Sequence, residues 1–110
     1  MFTVEPTDVH IACDSDETAI FACRHNLSGE IQPAQWIINS AAYGPKSLPK
    51  NHVITHNGSE AIISVKNIES EQNNSHYQCL LQVSYLETIC THTSRIAKLI
   101  IKGCNGKLCL

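Results

Sequence analysis

The sequence predicts an all-β fold in which two sheets pack face to face as a sandwich. Short stretches of alternating or continuously apolar, β-branched residues recur along the 110 residues. Clusters containing Gly, Pro, Asn, Asp and Ser separate these stretches, and no segment shows a capped start followed by three helical turns. Because an apolar sheet face must be buried, several short strands of this kind indicate two packed sheets.

Each predicted strand is an apolar or β-branched run that ends at a polar cluster. In chain order the strands cover residues 3–13, 18–25, 34–39, 53–56, 61–66, 76–85 and 94–102. The turns cover residues 14–17, 26–33, 44–51, 57–60 and 67–75, with a longer turn at residues 86–93. Within the fifth turn, residues 69–74 are compatible with a single helical turn.

Alternation along the strands predicts which side chains face the core, since successive side chains of a strand point to opposite faces. One parity collects the apolar residues, which we assign to the core: Ala19, Phe21, Cys23, Trp36, Ile38, Ile63, Val65, Cys79, Leu81, Val83, Ala97, Leu99 and Ile101. The opposite parity holds a second apolar set, Ile37, Leu80, Ile96 and Ile100, among polar neighbours. We expect this second set to lie on an outer face, covered by the protein's own chain or by a protein partner.

Composition argues against several classes of partner. The net charge is −2 and charged residues make up 16% of the chain, so no basic excess is available for nucleic acid. The longest apolar run, residues 99–101, is far shorter than a membrane span. We therefore expect a single small domain without a nucleic-acid partner, which could meet a membrane only through segments outside these residues.

Six cysteines in a chain of this length indicate an oxidising compartment, where disulfides persist. Three Asn-x-Ser sequons, at Asn26, Asn57 and Asn73, all fall in predicted loops. Such loops can carry an N-linked oligosaccharide. Both features predict an extracellular or cell-surface glycoprotein.

The spacing of Cys23, Trp36 and Cys79, with Tyr77 two residues before the second cysteine, resembles the immunoglobulin superfamily. The resemblance covers nearly the whole chain. It implies a Greek-key sandwich of intermediate or C2 type, because the interval between the two cysteines is shorter than in variable domains. Residues 1–103 then form the immunoglobulin-like domain, and residues 104–110 a C-terminal tail or the start of a linker.

The resemblance also implies roles for individual residues. Cys23 and Cys79 are expected to bridge the two sheets, with Trp36 packed against the bridge and the Tyr77 hydroxyl bonded back to a loop. Asn73 departs from the family pattern, which usually has an Asp at this position and often pairs it with a basic residue. The order of the runs 36–39, 48–52 and 73–79 is similar to immunoglobulin domains of invertebrate, sponge-like adhesion molecules and of receptor tyrosine kinase ectodomains.

The other four cysteines allow two pairing schemes. In the first, Cys13 pairs with Cys104 or Cys109, because the first and last strands of the resembled topology run side by side, and Cys90 is unpaired or intermolecular. In the second, Cys104 and Cys109 close a local loop and Cys13 pairs with Cys90. Complete pairing favours the second scheme, and strand geometry favours the first.

Neither a metal site nor a catalytic centre is predicted. His52 and His56 share a strand face but lie about 13 Å apart, too far for one zinc ion. No cysteine has an orienting carboxylate or an oxyanion hole at a recognisable spacing. We predict no enzyme and no cofactor, and instead a recognition module of a cell-surface adhesion protein or receptor that binds protein, including a second copy of itself. A spacer domain or a secreted immune-type recognition protein is the alternative.

Overall fold

A computed structural model describes residues 1–103 of the chain, so Cys104 and Cys109 lie outside the described part. These residues form strands and one 3₁₀ turn, Ser70–Gln72, as the sequence predicts for residues 69–74. The strands are β1 (Phe2–Val4), β2 (Val9–Ala12), β3 (Ala19–His25), β4 (Glu30–Ile31), β5 (Gln35–Ile38), β6 (Ala41–Tyr43), β7 (His52–Asn57), β8 (Glu60–Val65), β9 (Ser75–Tyr85), β10 (Thr88–Thr93) and β11 (Ala97–Lys102). They form two sheets, which confirms the predicted all-β sandwich.

The first sheet has the order β1-β3-β8-β7 and is antiparallel throughout. The second has the order β2-β11-β9-β5-β6, in which β2 and β11 are parallel and the other neighbours antiparallel. Two further strands, β4 and β10, extend this sheet by pairing with the far half of β9. β9 is therefore the central strand of the second sheet.

Side-chain alternation places the core as predicted. All thirteen residues assigned to the core from parity are buried. Among the largest fully buried side chains are Trp36, Tyr77 and Phe21. Because both inner faces are apolar, burying them against each other supplies the main favourable free energy of this sandwich.

The first predicted strand, residues 3–13, is divided between the two sheets. β1 pairs with β3 in the first sheet, and β2 pairs with β11 in the second. The buried Pro6 lies between them. Because proline has no N–H to donate to a ladder, the chain leaves one sheet there and joins the other.

The predicted turn at residues 86–93 is wrong. Only Leu86 and Glu87 form the turn, with Leu86 at φ 57°, and residues 88–93 are strand β10. β4, which lies within the predicted turn at residues 26–33, and β6 were likewise not predicted as strands. Neither β10 nor β6 has a buried residue, so neither shows the alternation by which a half-buried strand is recognised.

A one-residue bulge separates β10 from β11. Thr93 pairs with Leu80, whereas Ala97 pairs with Tyr77, so four steps on one strand oppose three on the other. Ser94 fixes the bulge, since its hydroxyl accepts the Cys79 N–H at 2.9 Å and its own N–H donates to the Cys79 carbonyl at 3.0 Å. The predicted strand 94–102 therefore begins at Ala97.

Among residues 1–103, no helix has the length and apolar character needed to cross a membrane.

Candidate interaction surface

Cys23 on β3 and Cys79 on β9 form a disulfide that joins the two sheets, with their Cα atoms 6.6 Å apart. Trp36 lies directly opposite Cys79 on β5 and is fully buried. The cysteine bridge and the indole thus lie together at the centre of the core, where the sequence places them.

Tyr77 faces the same core from β9. Its ring stacks on Phe21 with the centroids 4.4 Å apart, and burial raises the pKa of Tyr77 to about 12. Its hydroxyl lies 2.9 Å from Nε2 of His52, and Nδ1 of the same histidine lies 2.8 Å from the Lys50 carbonyl oxygen. The expected bond from the hydroxyl back to a loop is thus replaced by a bond to the first residue of β7.

The outer face of the second sheet carries the predicted partner residues. Ile37 on β5 lies opposite Gln78 on β9, and Leu80 on β9 lies opposite Gln35 on β5. Ile37 and Leu80 therefore lie in adjacent rows of side chains across these two strands. Ile96 lies in the bulge beside these rows and is 51% exposed. Ile37 and Leu80 are half-buried. These three residues surround Gln78, whose amide donates to the Ser94 carbonyl at 2.6 Å.

Ile100, the fourth member of the predicted set, lies one row further away. It pairs with His10 of β2, and the row formed by Lys98 and His76 separates it from the other three residues. The candidate surface is therefore compact around Gln78, with Ile100 at its margin.

Neither the protein-family models nor the curated proteins compared with this sequence match it. Solved structures do match. The twitchin kinase region from C. elegans superimposes with a TM-score of 0.72 at 17% identity, over 93% of this chain and 16% of that chain. The titin M3 domain gives 0.67 at 14% identity, over 94% of this chain and 96% of that chain.

The N-terminal Ig1-2 module of the Drosophila receptor protein tyrosine phosphatase DLAR gives a TM-score of 0.64 at 14% identity, over 92% of this chain and 47% of that chain. The chain thus spans only a fraction of the twitchin and DLAR chains, and nearly all of the titin domain. This chain has the immunoglobulin fold. Its second sheet extends past β5 by the single short strand β6, and β7 belongs to the first sheet. This strand arrangement is intermediate between those of constant and variable immunoglobulin domains.

The three sequons lie on the surface of the immunoglobulin domain. Asn26, Asn57 and Asn73 are all exposed. Asn73 differs from the others because its Oδ1 accepts the Ile101 N–H at 2.7 Å. Asn73, where the resemblance implies an Asp, thus binds the backbone of β11 rather than a basic side chain.

The cysteines of the immunoglobulin domain have unequal roles. Cys13, directly after β2, is disulfide-bonded, whereas Cys90 on β10 is a free, exposed thiol. The predicted alternative that pairs Cys13 with Cys90 is therefore absent. Cys13 donates its N–H to the Lys102 carbonyl at one end of the second sheet, and Cys90 lies opposite Val83 at the other. From Ser75 to Val83 alone, β9 extends about 26 Å, well beyond the Cα separation of a disulfide.

A histidine pair formed by the buried His25 and the half-buried His56 was not predicted from the sequence. His25 is 4% exposed, its ring lies edge-on to that of His56 at 5.9 Å, and its Nε2 has no hydrogen-bond partner. Burial is the largest cause that lowers the pKa of His25, and the charges of His56 and of the N-terminal amine lower it further. Parity places His25 on the inner face after Cys23, and that is the one signal that marks it in the sequence.

The two histidines considered as metal ligands serve different neighbours. His52 contacts Tyr77, whereas His56 Nδ1 accepts the Ala34 N–H at 3.2 Å. Within residues 1–103, no three His, Cys, Asp or Glu side chains are grouped as a metal would require.

Proposed function

We propose that this immunoglobulin domain is an extracellular recognition module of a cell-surface adhesion protein or receptor. It binds a protein partner, which can be a second copy, through the outer face of the second sheet. The observation that carries the proposal is the apolar group Ile37, Leu80 and Ile96 around Gln78 on the outer face of the second sheet, where Ile96 is exposed and the other two are half-buried. Aliphatic side chains clustered on an open sheet are typical of a surface that a partner removes from water.

Three further observations support an extracellular setting. The buried Cys23–Cys79 bridge and the disulfide at Cys13 both require an environment that keeps cystine oxidised. The receptor phosphatase DLAR contains similarly folded domains in its N-terminal module. All three sequons lie on exposed residues, as glycosylation requires.

Replacing Leu80 with Glu tests the proposed face. Leu80 is already half-buried, so burying the rest of its side chain contributes about 1 kcal/mol, and a carboxylate in an apolar interface adds a desolvation cost. The charged variant should therefore bind its partner or self-associate about tenfold or more weakly. Thr55→Glu is the matched control, because Thr55 is an exposed strand residue on the other sheet. Sedimentation equilibrium over a wide concentration range measures self-association, and binding to cells that display the full-length protein measures partner recognition.

Equal binding by wild type, Leu80→Glu and Thr55→Glu would contradict the proposed face. If the wild type also neither self-associated nor bound the cells, the domain would act as a spacer within a longer chain. The twitchin region offers a structural parallel, since a similar fold accounts for 16% of a chain that also holds a kinase.

A further inference from the structure

β10 is an unprotected sheet edge within the described chain. It pairs with β9 along one side, and no described strand pairs with its other side. Its sequence, Thr-Ile-Cys-Thr-His-Thr, contains no Lys, Arg, Asp, Glu, Pro or Gly. Natural sheet edges usually carry such residues to prevent the addition of another strand, so this edge is open to one.

The turn determines which backbone groups of β10 are available. The two-residue turn joins Tyr85 to Thr88, so residues 88, 90 and 92 exchange hydrogen bonds with β9. The N–H and C=O groups of residues 89, 91 and 93 point away from β9. Hydrogen bonds beyond β10 follow the same alternation, since the Ser94 N–H donates to Cys79 and the Arg95 N–H donates outward to Glu5.

We propose that β10 pairs with β10 of a second copy, antiparallel about a two-fold axis through Cys90, and that a Cys90–Cys90 disulfide closes the dimer. This register places Ile89 opposite Thr91 of the second copy, so the outward groups of both residues form hydrogen-bonded pairs. Cys90 then faces its equivalent in a non-hydrogen-bonded pair. The Cα separation of such a pair is about 4.5 Å, within the range of disulfides.

No other symmetric register both pairs the outward backbone groups and places Cys90 opposite its equivalent. An axis through Thr91 would pair the outward groups but place Cys90 opposite His92. An axis through Ile89 would place Cys90 opposite Thr88. The free thiol therefore lies at the one position where strand pairing and a symmetric disulfide coincide.

The same register also accounts for exposed apolar residues at the hairpin tip. Leu86 is 95% exposed, and an axis through Cys90 places it at the level of Ser94 of the second copy. There an open cleft of about 410 Å³ is lined by Met1, Phe2, Glu5 and residues 91–93. Met1 is itself 74% exposed, so seating Leu86 in the cleft would remove apolar surface of both copies from water.

The covalent step is a thiol–disulfide exchange. A Cys90 thiolate attacks a small disulfide such as oxidised glutathione, forming a mixed disulfide and releasing one reduced glutathione. The Cys90 thiolate of the second copy then attacks the Cys90 sulfur and releases the second. Two protein thiols are oxidised to one disulfide, and one glutathione disulfide is reduced to two thiols.

The test compares covalent dimer formation by Thr91→Pro and Thr91→Ala. Proline removes the outward N–H of residue 91 while leaving the backbone bonds to β9, whereas alanine keeps that N–H. Both variants lose the hydrogen bond of 3.5 Å that the Gln82 side chain of β9 donates to the Thr91 hydroxyl, so this loss cancels in the comparison. In a glutathione redox buffer, wild type and Thr91→Ala should form a dimer linked through Cys90, as shown by non-reducing electrophoresis and peptide mapping. Thr91→Pro should form about thirtyfold less, because the two-fold axis makes the dimer lose this hydrogen bond twice, at about 1 kcal/mol each.

Hydrogen exchange of the wild type provides a second measurement that does not depend on the folding of Thr91→Pro. The amides of Ile89 and Thr91 should exchange rapidly in the monomer and become protected in the dimer. A mixed disulfide with glutathione only, a dimer through another cysteine, equal dimer yields from both Thr91 variants, or unprotected amides in the dimer would each overturn the proposal. Leu80→Glu should still form this dimer, so failure of the edge and failure of the outer face are distinguishable.

Discussion

Tyr77 combines packing with a single defined hydrogen bond. The Lys50 carbonyl can only accept, so His52 Nδ1 must donate to it, and His52 Nε2 is the acceptor in the neutral ring. The Tyr77 hydroxyl therefore donates to His52, which satisfies a polar atom at the edge of the core. The bond connects the central strand of the second sheet to β7 of the first.

Trp36 should be the most costly core side chain to truncate. It is fully buried opposite the disulfide, so Trp36→Ala would leave a large cavity and should lower the free energy of unfolding by about 3–5 kcal/mol. Urea denaturation measures the change, with Ile20→Ala as a control at a strand position that is 54% exposed. A loss below about 1 kcal/mol would contradict the packing of the indole in the core.

His25 should make the domain less stable in mild acid. Its pKa in the folded state lies below the ordinary histidine value of 6.5, so the unfolded chain takes up the proton first as the pH falls. Stability is therefore complete above pH 6.5 and decreases below it, by at most about 1.4 kcal/mol per pH unit for one group. Urea midpoints at pH 7.5 and 5.5 measure the loss.

His25→Asn should reduce this pH dependence, because it removes the imidazole that takes up the proton. The amide oxygen of Asn can still accept the Leu27 N–H that His25 Nδ1 accepts at 3.3 Å, so the local hydrogen bond is kept. His10→Asn, at an exposed position, should leave the pH dependence as in wild type. The assignment to His25 would be wrong if both variants kept the same acid sensitivity.

Among the elements, β9 organises the second sheet. Its first half pairs with β11 and β5, and its second half pairs with β10 and β4. The bulge at Ser94 separates these halves and moves the inner face from even residues of β10 to odd residues of β11. One strand thereby serves both the sandwich and a hairpin that extends beyond it.

Prediction of elements failed at β6 and at β10 and β4, the two strands that pair with the far half of β9. Gly29 precedes β4 at φ 110°, and a Cβ there would lie 3.0 Å from Val83 Cγ1, so the approach of β4 to β9 depends on glycine. The contact between β4 and β9 joins residues far apart in the chain, and it produces no periodic pattern in the sequence of either segment. Strand β10 has no buried residue, and its many threonines resemble a polar turn unless its pairing partner is known.

For the whole molecule, the Cys23–Cys79 bridge is the main covalent constraint within the described residues. It closes a loop with a sequence separation of 56, for which chain entropy predicts about 4 kcal/mol of stabilisation. That is a large share of the 5–15 kcal/mol or so that stabilises a typical domain. The bridge is therefore central to the stability of a sandwich whose aromatic residues make up 5% of the chain.

Glycosylation is a further property of the whole surface. When the protein is made in a secretory host, an amide-cleaving glycosidase should lower its mass, with glycans at Asn26 and Asn57. Asn73 should be the least occupied site, because its side chain already accepts the Ile101 N–H. Intact mass measurement with Asn26→Gln and Asn57→Gln variants assigns the sites, and an unchanged mass would show that the sequons are unused.

Much of the fold and part of the candidate surface follow from local pattern. Alternation identified the core and the outer residues Ile37 and Leu80, because a strand buried on one face must repeat every second residue. It did not predict how these residues are arranged. The position of Ile96 beside Gln78 depends on the bulge, and the separation of Ile100 depends on the rows that β11 and β9 share.

The sequence by itself determined the sandwich, its core and the spacing of Cys23, Trp36 and Cys79, since these are properties of single strands and of one distance along the chain. Only the tertiary structure decided which strands are edges, where Pro6 divides the first strand, and that Cys90 is a free thiol opposite Val83. Edges, bulges and free thiols depend on contacts between residues far apart in sequence. Those contacts leave no periodic pattern in the segments that make them.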